Sequence, residues 1–303
     1  MPKALITGSA GFVGPYLARH LKSLGYEVWG ASLAGSAGEH YLPIALDVRR
    51  AGDVAHVMTE VGPDEVYHLA GISRPALDDV ASFYDVNLYG TLHVLQGATA
   101  VGASVLVVSS AYIYGKHNKP TDESTPLEPV NHYGVSKAAG DLAAISYAVE
   151  GLQVVRARPF NHTGPGQSPD FVLPSLVHQV SRIEMGLDPP IIKLGNVESV
   201  RDITDVRDIV RAYPLLLHKG KSGEAYNLAT GHGISVRDLA ERALRLTKRP
   251  VEIEIEASRM RASDIPFLVG NASKVRKLGW AAKYTLDRTL RDMFDFELGK
   301  LMK

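Results

Sequence analysis

The chain has 303 residues, of which 45% are hydrophobic and 22% are charged, as in ordinary globular proteins. It carries 33 basic and 33 acidic residues and no cysteine, which excludes disulfides and thiolate chemistry and indicates no nucleic-acid partner. The N-terminus lacks a signal-peptide pattern, and no stretch approaches the roughly 20 apolar residues of a membrane span. We therefore expect a cytoplasmic protein with no membrane partner and no metal site.

Short apolar runs alternate with helical patterns through the first half of the chain. The runs predict strands at 4–7, 27–31, 43–47, 65–69, 104–109 and 153–158. The patterns between them predict helices near 12–24, 50–61, 80–101 and 134–149. Because these strands lack strict alternation and are separated by helices, they favour a parallel sheet covered on both faces. The expected fold is α/β, a doubly wound Rossmann sheet that binds ligands at the carboxyl ends of its strands.

The rhythm changes after residue 160, where Gly, Pro and Asn become frequent. A helix is predicted near 171–186, a strand and helix over 203–217, and a strand and turn over 225–231. A strand at 251–255 lies between helices near 235–247 and 286–299. We therefore predict two interleaved domains. A dinucleotide-binding domain takes residues 1–160 and 203–231, and a smaller α+β substrate-binding domain takes 161–202 and 232–303.

Three glycines follow the first predicted strand, in the sequence GSAGFVG, which opens the first predicted helix. In a dinucleotide-binding turn, such glycines allow the tight turn, the approach of the backbone to the pyrophosphate and close helix–strand packing. Free N–H groups at the helix start then face the phosphates. The alternative is an unrelated glycine-rich turn. The predicted cofactor contacts in this loop are Gly8, Gly11, Phe12, Val13 and Gly14.

The ends of two later strands supply the predicted adenosine side of this site. Asp47, followed by Val48, ends the third strand and could accept a hydrogen bond from the adenine amino group, although Asp47 could equally be a helix N-cap. The fourth strand ends in Leu69, Ala70 and Gly71, and the two small residues leave room for the adenosine.

The end of the second strand bears on the choice between NADP(H) and NAD(H). In NAD-binding proteins an acidic residue that binds the ribose is expected there. In this chain the second strand ends near Ser32, in the sequence Gly-Ala-Ser-Leu, which has no acidic residue. A 2′-phosphate would not be repelled, although no arginine is present to attract it. Ser32 could bond either sugar, so NADP(H) is favoured and NAD(H) is the alternative.

A candidate proton-transfer set follows the fifth strand. Tyr133 and Lys137 are four residues apart, which puts them on one face of a helix. An ammonium beside a phenol lowers the pKa of the phenol and makes it a usable acid. Ser110, at the carboxyl end of the fifth strand, could bond the same substrate oxygen. A pair with this spacing also occurs by chance on surface helices.

In this order, TGSAGFVG, HLAG, NLYGT, SSAYIYG, YGVSK and RDITDVRD resemble the extended short-chain dehydrogenase/reductase family along essentially the whole chain. The resemblance implies that Ser110, Tyr133 and Lys137 form the catalytic triad. It also matches Asn87 to an asparagine that braces the helix near the active site. A helix N-cap or a turn residue is the alternative role for Asn87.

Within that family, FNHTGPGQ and RMRASDIPFLVGN resemble the branch that reduces GDP-4-dehydro-6-deoxy-D-mannose to GDP-D-rhamnose. The implied partner is a GDP-sugar, with Arg261 at its diphosphate, although Ala262 departs from the usual proline. A dianionic diphosphate also suits a clamp of Arg201 and Arg261, whereas surface salt bridging is the alternative for both.

Three further residues are candidates for the substrate side. Lys193 could meet the guanosine ribose or be a solvated strand residue. The loop that begins after Phe160 should flank the nicotinamide and the sugar, which makes Phe160 a cofactor candidate and Asn161 a substrate candidate. His162, in the same loop, could equally be structural.

Other reactions use the same fold. A 4,6-dehydratase needs a further acid and base, and its pattern puts Asp or Glu directly after the strand-end hydroxyl residue, where this chain has Ala111 and Tyr112. A nucleotide-sugar 4-epimerase would use the same triad with tightly held NAD. A non-catalytic NADP-binding redox sensor is disfavoured because the triad is intact.

The helices near 80–101 and 134–149 carry Ala- and Leu-rich faces. These faces either cover the sheet or pair across a two-fold axis, and the family resemblance implies a homodimer held by a four-helix bundle.

Overall fold

Parallel strands form the central sheet of the structure, a computed structural model that describes residues 1–73, 79–260 and 265–302. The strands of the described chain are β1 Lys3–Thr7, β2 Glu27–Ser32, β3 Leu42–Ala45, β4 Glu65–His68, β5 Ser104–Val108, β6 Val154–Pro159, β7 Asn161–Thr163, β8 Ile191–Leu194, β9 Val200–Asp205, β10 Ala225–Leu228, β11 Gly233–Ser235, β12 Glu252–Ile255 and β13 Phe267–Leu268.

The α-helices are α1 Val13–Ser23, α2 Ala51–Val61, α3 Val80–Tyr84, α4 Gly90–Val101, α5 His132–Val149, α6 Val172–Glu184, α7 Val206–Lys219, α8 Val236–Leu244, α9 Ser273–Arg276 and α10 Leu286–Leu301. Asp85–Tyr89 forms a π-helical turn between α3 and α4, and Ala111–Tyr114 and Ala257–Arg259 form short 3₁₀ turns. No helix within these ranges is long and apolar enough to cross a membrane.

The central sheet has seven parallel strands in the order β10-β6-β5-β4-β1-β2-β3. Its chain order reverses at β1, where Thr7 pairs with Ala31 of β2 on one side and with His68 of β4 on the other. Leu5 and Ile6 are fully buried and belong to the two separate apolar clusters that cover the faces of the sheet. The predicted α/β Rossmann class is confirmed, and the reversal beside β1 marks the crevice in which this fold binds ligands.

Smaller sheets lie beyond the central one. Strands β11, β9 and β13 form one sheet with β7 paired to β9, and β12 pairs with β8. Helices α6, α8 and α10 supply most of the third apolar cluster. Residues 203–205 belong to β9 and pair with β7, whereas the predicted boundary assigns them to the dinucleotide-binding domain. Backbone pairing joins these residues to the smaller sheet, and the division into two domains stays a prediction.

Several predicted elements differ in detail from the structure. The predicted strand at 43–47 ends at Ala45, and the predicted helix over 80–101 contains the π-helical turn. Strands β7, β11 and β13 have only two or three residues each, too few to show a pattern in the sequence. Their pairing with β9 is what makes them strands, and pairing between distant segments leaves no local signal.

Candidate active site

The glycine loop connects β1 to α1 beside the reversal of the sheet. Gly8 has φ +71°, and the Gly11 N–H donates to the Gly8 carbonyl oxygen at 3.0 Å. A Cβ on Gly14 would lie 2.1 Å from the Ser9 carbonyl oxygen, so this contact requires glycine. Phe12 precedes Val13, the first residue of α1, and within the described residues no side chain caps this helix. The loop therefore keeps the close backbone approach and helix start that a dinucleotide needs.

The predicted adenosine side lies at the ends of β2 and β3. The Ser32 hydroxyl accepts a hydrogen bond from the Ser36 N–H at 3.1 Å. The Asp47 carboxylate accepts from the backbone N–H, Nε and Nη2 of Arg49, the last at 2.7 Å. Arg49 hydrogen-bonds to Asp47 and keeps the pKa of that carboxyl below its ordinary value, although burial opposes the effect. Arg50 occupies the N-cap position of α2, so the alternative role of Asp47 as the N-cap is wrong.

Arg49 is a residue that the sequence analysis missed. The sequence signal that could have indicated this contact is the position of Arg49 two residues after Asp47, the residue proposed to bind adenine. At this spacing the arginine side chain can fold back onto the carboxylate. Val48, beside it, is buried, and a Cβ on Gly90 would come within 2.8 Å of its side chain. Val48 therefore packs the start of α4 against the end of β3.

The segment that follows β4 passes close to α5. The Leu69 N–H donates to the Thr7 carbonyl oxygen, and the Ala70 N–H donates to the Thr7 hydroxyl at 3.2 Å. A Cβ on Gly71 would lie 3.0 Å from Asn87 Oδ1 and 3.6 Å from Lys137 Nζ. The bare backbone at Gly71 thus leaves space above the lysine.

Asn87 links three segments with its side-chain amide. Its Oδ1 accepts from the Ile72 N–H at 2.8 Å, and its Nδ2 donates to the Ser136 hydroxyl at 3.0 Å. That hydroxyl donates to the Tyr133 carbonyl oxygen at 2.8 Å. Asn87 lies inside the π-helical turn, so the alternative role of helix N-cap is wrong. Its contacts instead join the end of β4 to the start of α5.

The three candidate catalytic residues converge at the carboxyl ends of the central strands. Ser110 follows β5, and its hydroxyl accepts a hydrogen bond from the Tyr112 N–H at 3.2 Å. Tyr133 lies in the first turn of α5, with the ring of Tyr112 edge-on at a centroid distance of 5.6 Å and that of Phe83 at 6.3 Å. Lys137 is one turn further along α5, and its Nζ donates to the Val108 carbonyl oxygen at 2.5 Å.

The pKa of Tyr133 shifts in the direction opposite to the expectation. The sequence analysis expects the Lys137 ammonium to lower the pKa of the phenol. In the structure, burial is the largest influence and raises the pKa of Tyr133 to about 12, against a smaller lowering by the hydrogen bond with Ser110. Burial also lowers the pKa of Lys137 to about 8. The expectation was wrong because enclosure by protein disfavours both charged forms at once.

A buried ionic cluster lies one turn beyond Lys137 and was missed by the sequence analysis. Asp141 is fully buried and accepts hydrogen bonds from Arg156 at 2.5 Å and from Arg158 at 2.7 Å. Burial raises the pKa of Asp141, but the two guanidiniums outweigh it and hold the pKa below its ordinary value. The available signal was the pair of arginines within the otherwise apolar run of β6. The cluster anchors α5 to the central sheet through β6.

The loop after β6 borders the same edge of the sheet. Phe160 is buried and stacks on Tyr114 with the ring centroids 6.3 Å apart, so its ring packs in the core. The Asn161 Oδ1 is buried without a hydrogen-bond partner among the described residues, a state that a bound polar ligand would relieve. His162 stacks on Phe12, and its Nδ1 lies 3.0 Å from the Phe160 carbonyl oxygen, which agrees with a structural role.

Two of the three basic candidates lie within the described residues. Lys193, on β8, is 45% exposed and lies 3.9 Å from Glu256 and 4.0 Å from Glu254, as the alternative of a solvated strand residue expects. Arg201, on β9, donates to the Val200 carbonyl oxygen at 3.0 Å. Arg261 lies outside the described residues, so the arginine clamp stays a prediction. In the described ranges, no group of three or more His, Asp or Glu side chains could hold a metal ion.

Comparisons with known proteins bear on this geometry. The family model described as GDP-mannose 4,6 dehydratase matches residues 5–293. The chain is 33% identical to the GDP-6-deoxy-D-mannose reductase of Pseudomonas aeruginosa over 95% of both chains. It is 31% identical to the GDP-6-deoxy-D-talose 4-dehydrogenase of Aggregatibacter actinomycetemcomitans over 99% of both.

Solved structures give the same picture. The structure of RMD from Pseudomonas aeruginosa complexed with NADPH superposes with a TM-score of 0.88 at 29% identity, covering 99% of this chain and 100% of the other. The UDP-glucose 4-epimerase of Thermus thermophilus complexed with NAD gives a TM-score of 0.88 at 25% identity, covering 98% and 99%.

Proposed function

Because the chain belongs to the GDP-mannose 4,6-dehydratase family of extended short-chain dehydrogenases/reductases, we propose that it reduces the 4-keto group of GDP-4-dehydro-6-deoxy-D-mannose and forms GDP-D-rhamnose. The family makes the protein an NAD(P)-dependent nucleotide-sugar enzyme. The choice of GDP-sugar and of the reductive direction is our proposal. It draws on the reductase relative, which shares 33% of its residues with this chain.

The observation that carries the proposal is the convergence of Ser110, at the end of β5, with Tyr133 and Lys137, which lie one turn apart on α5. With the pKa of the phenol raised to about 12, Tyr133 is protonated at neutral pH. A protonated phenol is the form required to donate a proton to an alkoxide, the stronger base. Reduction of a ketone therefore has its proton donor in the required form.

The residues present fit a nicotinamide dinucleotide. Gly8, Gly11 and Gly14 would lie at the pyrophosphate, and Gly71 with Lys137 would hold the ribose next to the nicotinamide. When bound, the reduced nicotinamide supplies a hydride to the C4 carbonyl carbon. Tyr133 gives its proton to the oxygen that becomes a hydroxyl, and Ser110 donates a hydrogen bond to the same oxygen as negative charge develops.

Support for the sugar side comes from Asn161, whose buried Oδ1 has no partner among the described residues. A sugar hydroxyl or the carboxamide of the cofactor would satisfy it. Arg201 is the candidate for the diphosphate from the described residues, and Arg261 and Lys193 stay predictions from the sequence. Guanidinium groups suit a diphosphate because they form paired, charge-assisted hydrogen bonds.

We propose NADPH as the preferred cofactor. β2 ends at Ser32 with no carboxylate to repel a 2′-phosphate, and the Ser32 hydroxyl can donate to it. Titrating the protein with NADPH and with NADH measures the preference. We expect tighter binding of NADPH, and a lower dissociation constant for NADH would contradict this part of the proposal.

Dehydration is disfavoured by the residue that follows Ser110. Ala111 is buried and has no acidic group, and Tyr112 turns its ring onto Tyr133. No carboxyl group therefore follows the strand-end hydroxyl, where the dehydratase pattern has one. A 4-epimerase uses the same triad but keeps its NAD tightly bound. An oxidised cofactor that co-purifies at one per chain would therefore favour epimerisation instead.

The decisive experiment supplies GDP-mannose, a separate dehydratase and NADPH, and identifies the product sugar by NMR. We expect one NADPH consumed per GDP-D-rhamnose formed. Tyr133→Phe should lower kcat by about 100-fold or more while NADPH binding is kept, because only the proton donor is lost. Tyr147→Phe makes the same substitution on the same helix away from the triad and should keep full activity. Full activity in Tyr133→Phe would contradict the mechanism.

We also propose that the protein is a homodimer, formed by α4 and α5 of two copies. Exposed apolar side chains on α5 include Leu142 at 50%, Ile145 at 36% and Val149 at 83%. Light scattering should give twice the mass of 32.8 kDa, and Leu142→Glu should shift it toward the monomer. Leu24→Glu, at a residue 51% exposed after α1, is the matched control and should leave the mass unchanged. A monomeric wild-type chain would contradict the proposal.

A further inference from the structure

A buried histidine joins the cofactor side of the sheet to the catalytic helices. His68 is the last residue of β4 and is 1% exposed. Its Nδ1 lies 2.8 Å from the Thr7 hydroxyl oxygen, and its Nε2 lies 3.0 Å from the Thr91 hydroxyl oxygen. Thr7 ends β1 directly before the glycine loop, and Thr91 is in the first turn of α4. The imidazole therefore spans the gap between these two elements.

The direction of each hydrogen bond in this series follows from the groups at its two ends, the Asn87 carbonyl oxygen and the Ala70 N–H. The Thr91 hydroxyl lies 2.7 Å from the Asn87 carbonyl oxygen, which can only accept, so Thr91 donates to it. Thr91 must then accept from His68, which puts the proton on Nε2. The unprotonated Nδ1 accepts from the Thr7 hydroxyl, whose oxygen accepts in turn from the Ala70 N–H. All five groups are satisfied in this one arrangement.

The far end of this series of hydrogen bonds lies next to α5. The carbonyl group held by Thr91 belongs to Asn87, whose side chain bonds Ile72 and Ser136. α5 passes close by, since a Cβ on Gly140 would lie 2.7 Å from the same carbonyl oxygen. A shift of His68 would therefore move both the backbone at Ala70 and the support of α5.

We infer that His68, in its neutral form with the proton on Nε2, is a positioning residue that sets the distance between the glycine loop and the catalytic helix. It touches neither the substrate nor the reacting atoms. It acts on dinucleotide binding through Thr7 and Ala70, and on the triad through Thr91 and Asn87. The inference rests on the dinucleotide site of the proposed function and is independent of which sugar is reduced.

The surroundings keep the imidazole uncharged. Burial first, and the nearby Lys137 ammonium second, lower the pKa of His68 to about 3. A protonated imidazole would carry an N–H on both nitrogens and could no longer accept from Thr7. The neutral ring is thus the form that the hydrogen bonds require over the whole working range of pH.

The tautomer is measured directly on the wild-type protein by ¹⁵N NMR of the histidine side chains, assigned by comparison with His68→Gln. We expect Nε2 to show a protonated nitrogen and Nδ1 an unprotonated one, with no titration between pH 5 and 8. A proton on Nδ1, or a titration in that interval, would overturn the inference. This measurement needs neither sugar nor activity.

A double-mutant cycle tests the coupling through dissociation constants for NADPH. His68→Leu and Thr91→Val should each weaken binding by about 10-fold, because each leaves a buried polar group without its partner. The double variant should weaken NADPH binding by a factor at least about 3-fold smaller than the product of the two single factors. The reason is that the effects of residues in contact are not additive. Additive effects, or unchanged dissociation constants, would overturn the inference.

Thr99→Val is the matched control on the same helix. The Thr99 hydroxyl donates to the Leu95 carbonyl oxygen at 2.9 Å, so it bonds the fourth residue before it, as Thr91 does. The contacts of Thr99 lie away from His68. Its effect should be small and additive with His68→Leu. Coupling as large as that of Thr91 would show a general loss of helix stability and would overturn the specific role. A failure to reduce the sugar would overturn the proposed function alone.

Discussion

The Lys137 ammonium donates a 2.5 Å hydrogen bond to the Val108 carbonyl oxygen, which ties the catalytic helix α5 to the end of β5. This single hydrogen bond offsets only a small part of the free energy that it costs to bury the Lys137 ammonium. Burial accordingly lowers the pKa of Lys137 from 10.5 to about 8. The buried charge therefore costs stability, which the role proposed for Lys137 in the reaction would explain.

Lys137→Met should raise the free energy of unfolding at pH 7 by about 1–3 kcal/mol while it removes activity. The unfolded lysine holds its proton up to its ordinary pKa, whereas the folded one loses it near pH 8. Stability of the wild type thus gains from this group as pH rises from about 8 to 10.5, and the advantage of the variant shrinks over that window.

Urea denaturation at pH 7 and pH 10 measures this difference. Lys193→Met, at a lysine that is 45% exposed, should change the free energy of unfolding by less than about 0.5 kcal/mol. A variant of Lys137 that is less stable than the wild type at pH 7 would show that the bond to Val108 outweighs the burial of the charge.

Ser110→Ala should lower kcat by about 100-fold, because it removes a hydrogen-bond donor to the developing oxyanion. Its neighbour Ser109 is the matched control. The Ser109 hydroxyl is buried with no hydrogen-bond partner in the described part of the chain. Ser109→Ala should therefore keep kcat within about threefold and leave the unfolding free energy unchanged or higher. If instead Ser109→Ala is the damaging variant, the serine facing the substrate has been misassigned.

Gly14→Ala should cost about 3 kcal/mol in the free energy of unfolding and abolish dinucleotide binding, since the added Cβ would lie 2.1 Å from the Ser9 carbonyl oxygen. Gly52→Ala, in α2, meets nothing within 4 Å and should stabilise the fold by about 0.5–1 kcal/mol. Thermal unfolding and NADPH titration of the two variants check both values. Normal binding by the Gly14 variant would rule out this turn as the pyrophosphate site.

Asp141→Asn should destabilise the protein by about 3–5 kcal/mol, because it leaves Arg156 and Arg158 as buried charges without their counter-ion. Asp287→Asn serves as the control. Asp287 is 67% exposed and pairs with Arg242 at 2.9 Å, a surface pair worth less than about 1 kcal/mol. Denaturant titration at pH 7 compares the two variants. Equal effects would contradict the importance of the buried cluster for anchoring α5.

The amino-acid sequence by itself determined the features that depend on neighbours along the chain. The spacing of Gly8, Gly11 and Gly14 after an apolar strand predicts the dinucleotide turn because turn, strand end and helix start are all local. Tyr133 and Lys137 share a helix face for the same reason, since four residues make about one helical turn. The parallel α/β sheet followed from strands separated by helices.

The tertiary structure alone decided what depends on residues that are distant in the chain. The pKa of Tyr133 rises because the rings of Phe83 and Tyr112 help to enclose it, and a spacing rule that considers only Lys137 gives the opposite direction. The partners of Asp141 come from β6, and those of His68 come from β1 and α4. Burial and hydrogen-bond partners are properties of packing, so the protonation of this site could be read only from the folded chain.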